Sequence, residues 1–377
     1  MGVLANNPII TLYVGTILSN VPQLFFLDTV LKKRTIVEKN LWNMFQGAPG
    51  EASFDFLRVV SDPVEADFFL LPHNYYYLQK AGDFSSLTEL VVLAKRHNKK
   101  ILVFLMGDSD EHVEIPNSYI FRYSQYGYKK KNNEIIAPPY PLHFRPPEFS
   151  EYREKIWKTI ALREKSAKPT VSFCGWADFP SFYRRCTYAG RVLLADIKKY
   201  IFRDKYAELH KSAIYFRRKA IRALANTSRI ETNFILRKSF SAQKGFDGED
   251  YIKPEIAEKE YMESIINSDF VLAPRGHANA SIRFFEALGL GRFPVLINTD
   301  CELPLKDYIN YGKFVVTVDH TRTDEIERAI LDFYNSLTTE EFKKRQLMAR
   351  EAFELLRPGS FLKIVLSQLK NNNHRYT

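Results

Sequence analysis

Short, unbroken apolar runs recur along the chain, and most stop at a glycine or a proline. Ile9-Ile10-Thr11-Leu12-Tyr13-Val14 ends at Gly15, Phe68-Phe69-Leu70-Leu71 at Pro72, and Ile101-Leu102-Val103-Phe104-Leu105-Met106 at Gly107. Runs without polar alternation predict parallel strands covered on both faces. Between the last two, Leu87, Leu90, Val91 and Ala94 repeat at helical spacing, which predicts a helix over 85–95. Residues 1–150 therefore read as one doubly wound α/β domain. The apolar stretch from Ile9 to Leu31 is broken by Asn20, Pro22, Gln23 and Asp28, and reads as strand, loop and helix rather than a membrane anchor.

A proline-rich segment, Pro138-Pro139-Tyr140-Pro141 with Pro146-Pro147, interrupts the pattern. Strand signals restart at Val171-Ser172-Phe173-Cys174-Gly175 and continue at Phe270–Ala273, Phe293–Ile297 and Phe314–Val318, giving a second domain over 165–340. Thr338-x-x-Glu341 is a capping box that opens a helix to about Leu356; Pro358-Gly359 breaks it and Ser360 caps a last helix, so 341–377 is helical. Two Rossmann-like units in tandem result, and such sheets bind ligands past the carboxyl ends of their strands.

Composition changes this picture little. The 377 residues carry 54 Lys and Arg against 44 Asp and Glu, a net charge of +10, with 45% hydrophobic and 26% charged residues. Those values exclude a disordered, collagenous or coiled-coil chain. The basic clusters, Lys32-Lys33-Arg34, Lys95-Arg96, Lys129-Lys130-Lys131 and Arg217-Arg218-Lys219, are dispersed and read first as solvated surface. Their dispersal, without an aromatic-interleaved motif, argues against nucleic-acid binding. Three cysteines, Cys174, Cys186 and Cys301, with no CxxC pair, argue against a disulfide framework or a structural zinc and favour a reducing compartment.

The most informative stretch is SDFVLAPRGHANASIRFFEALGLGRFPVL, from Ser268 to Leu296. A buried strand opens into the loop 274–280, a helix starts near Ser281 and ends at Gly289 or Gly291, and Pro294-Val295-Leu296 enters the next strand. Gly276 permits close backbone approach, and Ser281 can cap a helix whose first N–H groups form an anion site. Arg275 and Arg283 add guanidinium forks suited to a diphosphate, set against the helix dipole where an anion would relieve them. Glu286, on the same helical face as Arg283, is placed to accept ribose hydroxyls; the plainer alternative is an Arg283–Glu286 surface pair.

These residues resemble the signature of exostosin-like glycosyltransferases, glycosyltransferase family 47: the Pro274-Arg275-Gly276 loop, the block Ser281–Leu288, then Gly291 with Pro294-Val295. Asp62-Pro63-Val64-Glu65-Ala66-Asp67-Phe68-Phe69-Leu70-Leu71-Pro72 is similar to the family's DPxxADFFxxP stretch. Phe173-x-Gly175 and Ile221-Arg222-Ala223-Leu224 are weaker echoes. The resemblance implies a GT-B fold, in which two Rossmann-like domains face a cleft and the C-terminal helices cross back to the N-terminal one. It implies an inverting transfer of a hexose or pentose, most often from a UDP-sugar, to a glycan or lipid-linked glycan in polysaccharide synthesis. It assigns Arg275, Arg283, Gly276, Ser281 and Arg222 to the donor diphosphate, Glu286 to the ribose, and His277 and Gly175 to donor contacts. In retaining GT-B enzymes a second carboxylate precedes the position of Glu286 by eight residues; Ala278 stands there, in keeping with inversion.

An inverting transfer needs a general base, expected in the first domain just past a strand end. Asp108 and His73 both meet that placement, with Asp110 behind them. Asp108-Ser109-Asp110 also spells a DxD pair, which leaves a metal-dependent transferase as an alternative. Because the arginines and the helix start already account for a diphosphate, no metal or other cofactor is expected. A catalytically silent glycan- or nucleotide-binding protein is the further alternative. Lys129-Lys130-Lys131 among tyrosines suits peripheral membrane association. A cytoplasmic protein at the inner membrane face is expected, the alternative being a Golgi protein whose anchor is missing. A glycan on the Asn279-Ala280-Ser281 sequon would block the donor loop.

Overall fold

The computed structural model describes residues 9–24, 26–31, 54–139, 160–179, 182–238 and 254–373. The basic run 32–34 and the proline-rich residues from Tyr140 to Pro147 lie outside them. The first elements along the chain are β1 (Ile10–Val14), α1 (Leu27–Leu31), β2 (Leu57–Val59), β3 (Phe68–Asn74), α2 (Tyr75–Ala81), α3 (Ser85–Arg96), β4 (Ile101–Leu105), β5 (Ser118–Arg122) and β6 (Glu134–Ile136). Then follow β7 (Thr170–Trp176), α4 (Phe182–Tyr200), α5 (Ala213–Leu224), β8 (Glu231–Arg237), α6 (Pro254–Ile266), β9 (Phe270–Ala273), α7 (Ile282–Gly289), β10 (Phe293–Asn298) and β11 (Val316–Asp319). The helices α8 (Ile326–Asn335), α9 (Thr339–Leu356) and α10 (Pro358–Asn373) close the order. Among the described residues no helix is long and apolar enough to cross a membrane.

Two compact units result: Met1–Glu151 with Glu302–Leu305 and Glu354–Thr377, and Tyr152–Cys301 with Lys306–Phe353. The first sheet runs β2-β1-β3-β4-β5-β6 and the second β11-β10-β9-β7-β8, all parallel. Counted from its own first strand, each sheet begins 2-1-3-4-5, the doubly wound order whose winding reverses between strands one and three. A ligand crevice is expected at that reversal, which is β1/β3 in the first unit and β7/β9 in the second.

In the first unit the apolar runs alternate between two cores. Phe68, Leu70, Leu102 and Phe104 join Phe361, Leu362 and Val365 of α10 on one face; Phe69, Leu71, Ile101, Val103 and Leu105 join Leu87, Leu90 and Ala94 of α3 on the other. β3 does not stop at Pro72 as the sequence suggested. Its register against β4 shifts between Leu70 and Asn74, so the missing proline N–H falls at an irregularity, and Pro72 O accepts from Leu24 N at 2.8 Å.

The DPxxADFFxxP-like stretch is structural. Asp62 caps a 3-10 turn through Val64 N at 2.8 Å, with Pro63 in its first turn. The Asp67 carboxylate accepts from Thr11 N (2.8 Å) and from Lys370 Nζ (2.7 Å), tying β1 to α10. The capping box at Thr338 forms in both directions, Thr338 N to Glu341 Oε2 at 2.9 Å and Glu341 N to Thr338 Oγ1 at 3.2 Å. The last helix begins at Pro358, a residue that tolerates a first helical position, so Ser360 lies inside the first turn and does not cap it.

Candidate functional site

At the second unit's reversal point, β7 ends in Phe173-Cys174-Gly175-Trp176 and β9 feeds the loop that begins at Pro274. Arg283, in the first turn of α7, sends Nη2 to Cys174 O at 2.8 Å and lays its guanidinium over the Phe173 ring, 4.4 Å from the centroid. Gly175 makes this approach possible. A Cβ there would stand 2.9 Å from Arg283 Nη2, on a backbone with φ +152°. The Phe173-x-Gly175 echo is therefore a seat for an arginine: a ring beneath it and no side chain beside it.

Arg217 reaches the same strand end from α5, donating from Nη1 to Trp176 O at 3.1 Å. Burial, then the nearby Arg283 and Arg275 guanidiniums, pull its pKa down to about 10. The Nε atoms of Arg217 and Arg283 are both buried and have no hydrogen-bond partner. Two unpartnered donors on like-charged neighbours concentrate positive charge at the end of β7. Arg275 is more committed to the fold. It is buried, and its guanidinium donates to Leu209 O (2.9 Å), His277 O (3.2 Å) and Gly276 O (3.4 Å), which shapes the loop from within.

The loop's other residues hold it in place. Gly276 N donates to Ala280 O at 2.7 Å, His277 is exposed, and Ser281 stands at the N-cap position of α7 without its hydroxyl capping. Asn279 is buried, donating to Thr299 O (3.1 Å) and accepting from Thr299 Oγ1 (2.6 Å), which leaves no room for a glycan in the folded chain. Glu286 is buried in α7 and accepts a hydrogen bond from the Tyr261 hydroxyl of α6, not the solvated position that a surface pair would need. Burial first, then the Glu286 charge, hold the Tyr261 phenol well above its ordinary range.

Arg222 is exposed in the last turn of α5, five residues and 140° of helix from Arg217, so the two side chains leave the helix in different directions. It is Arg217 that reaches the end of β7. Helical phase carried the signal: Arg217 follows Ile214 by three and precedes Ile221 by four, inside a buried apolar stripe where an unrecognised cation does not belong.

The first unit's reversal point is filled by its own chain. His73 is fully buried, with Nε2 accepting from Leu18 N at 2.9 Å and Nδ1 facing Pro22 O at 3.0 Å, so both ring nitrogens are engaged. Burial lowers its pKa, and the ring is a neutral tie rather than a base poised for an acceptor. Asp108 lies exposed just past β4. Its loop is braced by the buried Arg122, which donates to Ser109 O (2.7 Å) and pairs with Glu134 (2.5 Å), and by Asn74, whose side chain exchanges two bonds with the Met106 backbone. Asp110 is ion-paired with Lys129 at 2.6 Å, so that lysine's charge is met within the protein.

The fold and this cluster define a class, a doubly wound α/β unit with an arginine-built cradle at its topological reversal. Residues 206–332, which contain every cradle residue except those of β7, match the family described as the Exostosin GT47 domain. The second unit is thus similar to the Exostosin GT47 domain over these residues. A probable glycosyltransferase of Arabidopsis thaliana is 38% identical over 73 residues, 19% of this chain and 16% of that protein. Exostosin-1c of Danio rerio is 39% identical over 70 residues (19% and 10%), and Exostosin-1b of Danio rerio 29% over 111 residues (29% and 14%). The matched stretch thus spans no more than 16% of the length of any of these relatives. The DPxxADFFxxP-like residues fall outside the matched domain.

Proposed function

We propose that the protein is an inverting glycosyltransferase of GT-B fold, moving a sugar from a nucleotide sugar, most readily a UDP-sugar, to a glycan or lipid-linked glycan. The observation that carries this reading is the convergence of Arg217 and Arg283 on the end of β7, each with an orphaned Nε. Guanidiniums so placed meet the charge that develops on the leaving diphosphate as the bond from its oxygen to the anomeric carbon breaks. Arg275 keeps the loop in shape and adds its charge to theirs. Glu286, steered by Tyr261, receives the ribose hydroxyls, and Gly175 and His277 border the donor.

In this reading Asp108 takes the acceptor hydroxyl's proton while that oxygen forms its bond to the anomeric carbon, and the electron pair leaves with the nucleoside diphosphate. Its exposure and braced loop favour it over His73, whose nitrogens are spent. The arginines and the helix start supply the countercharge, so no divalent metal is required. The test is transfer and donor hydrolysis across a panel of nucleotide sugars, with Arg283→Ala, Glu286→Ala and Asp108→Asn. Loss by orders of magnitude in all three, with the fold intact, is expected. Near-normal transfer by the first two would overturn the assignment, and saturable UDP binding without any turnover would favour a silent binding protein.

A further inference from the structure

The helix α4 contributes no buried residue to the fold. Phe182, Leu193 and Tyr200, and beside them Tyr183, Leu194 and Ile201, recur at steps of eleven and seven residues, which are whole numbers of helical turns. Each of the six is between 54% and 80% exposed. Side chains off that stripe fix the helix to its unit: Tyr188 packs on Phe179 with ring centroids 4.8 Å apart, Asp196 pairs with Lys211 at 2.7 Å and Lys199 with Glu208 at 2.5 Å. The apolar stripe is thereby held outward. A stripe this long and aromatic on one helix is a surface built for contact.

Charge decides what covers it. Residues 182–205 hold seven basic side chains against two acidic ones; Asp196 is paired with Lys211, and Arg185 and Lys199 are paired with Asp178 and Glu208. Arg184, Arg191 and Lys198 follow at seven-residue steps along one flank, all exposed. An apolar stripe bordered by cations, with aromatic residues at both ends, is the pattern of a helix lying in the headgroup region of an anionic bilayer. We infer that α4 docks the protein on an anionic membrane surface, its apolar stripe entering the acyl boundary and its basic flank resting on lipid phosphates. The inference locates the membrane contact that the functional reading allows for, and it stands or falls without any sugar transfer.

The test is sedimentation of the full chain with vesicles of phosphatidylcholine alone and of phosphatidylcholine with phosphatidylserine in equal parts. Binding to the second and little to the first is expected. Leu193→Glu with Leu194→Glu should weaken that binding about tenfold or more, and Arg191→Glu with Lys198→Glu comparably, with added salt weakening the wild type. All four positions are exposed, so the melting temperature should not move. A wild type that ignores both vesicles, or variants that bind as it does, overturns the proposal. A concentration-dependent dimer abolished by the leucine substitutions would do so too, by assigning the stripe to a second copy of the chain.

Discussion

Replacing Arg217 by methionine is expected to make the ligand-free protein more stable and the donor site weaker in one step. Burial, with like charge from Arg283 and Arg275, lowers the Arg217 pKa from its ordinary value to about 10. A base whose pKa falls on folding opposes folding wherever it is charged, and at about 1.4 kcal/mol per unit the guanidinium costs about 3 kcal/mol at neutral pH. That cost is complete below the folded value and fades only as pH rises from about 10 toward the ordinary value of a free guanidinium. Methionine keeps much of the stem's apolar contact and forfeits the bond to Trp176 O, worth about 1 kcal/mol. The balance is a gain of about 2 kcal/mol, or roughly 4–8 °C in melting temperature for a unit of this size. Removing one charge-assisted partner of the diphosphate should meanwhile weaken UDP binding by about tenfold to a hundredfold. Scanning calorimetry without ligand and titration calorimetry with UDP measure the two halves. A melting temperature that falls while UDP affinity stands would refute the reasoning and make Arg217 a brace for β7.

Gly175→Ala should push the Arg283 guanidinium off Cys174 O and lower UDP affinity as far as Arg283→Ala does, with far-UV circular dichroism unchanged; unaltered affinity would show that the seat is not needed. His73, buried and neutral with a pKa below its ordinary 6.5, leaves stability complete above that pH and lost below it, by up to about 1.4 kcal/mol per pH unit. Urea unfolding from pH 7 downward should show that slope, and His73→Gln should flatten it. Tyr261→Phe strips a buried carboxylate of its phenol and should cost about 1–3 kcal/mol in the same assay. Transfer should persist in a chelator, and strong stimulation by Mn²⁺ would point back to Asp108 and Asp110.

The strands that carry the fold were legible where apolar residues run unbroken, as in β3, β4 and β9, whose residues are all buried. β8 was not, because its Glu231-Thr232-Asn233 opening is polar and its first two residues are exposed, and β6 has only three residues. Arg275, Arg283 and Glu286 were legible as residue types at a strand-loop-helix junction. What each side chain grips was not: Arg275 finds Leu209 O, 66 residues away, and Arg283 finds Cys174 O, 109 away. The second partner exists because the sheet sets β7 beside β9, and the first because the turn 207–210 reaches the loop after β9; no local pattern encodes either relation. Arg217 was hidden by its company, since Arg218 and Lys219 beside it make the run look like solvated surface. Arg222 was favoured by motif, against its position on the outer face of α5.

The return of α10 to the first unit has a consequence for synthesis. Phe361 and Leu362 are fully buried among Ile10, Leu12, Phe104 and Phe121, so this core lacks part of its filling until residues some 220 positions further on have been made. At translation rates of about 5–20 residues per second, that is a wait of roughly 10–45 s. β1 to β6 must pass the interval with an apolar face incompletely covered, while β7 to β11 can be made and paired within it. The unit translated first is thus the last to be finished, and its partly covered sheet is where a chaperone would be expected to bind the nascent chain.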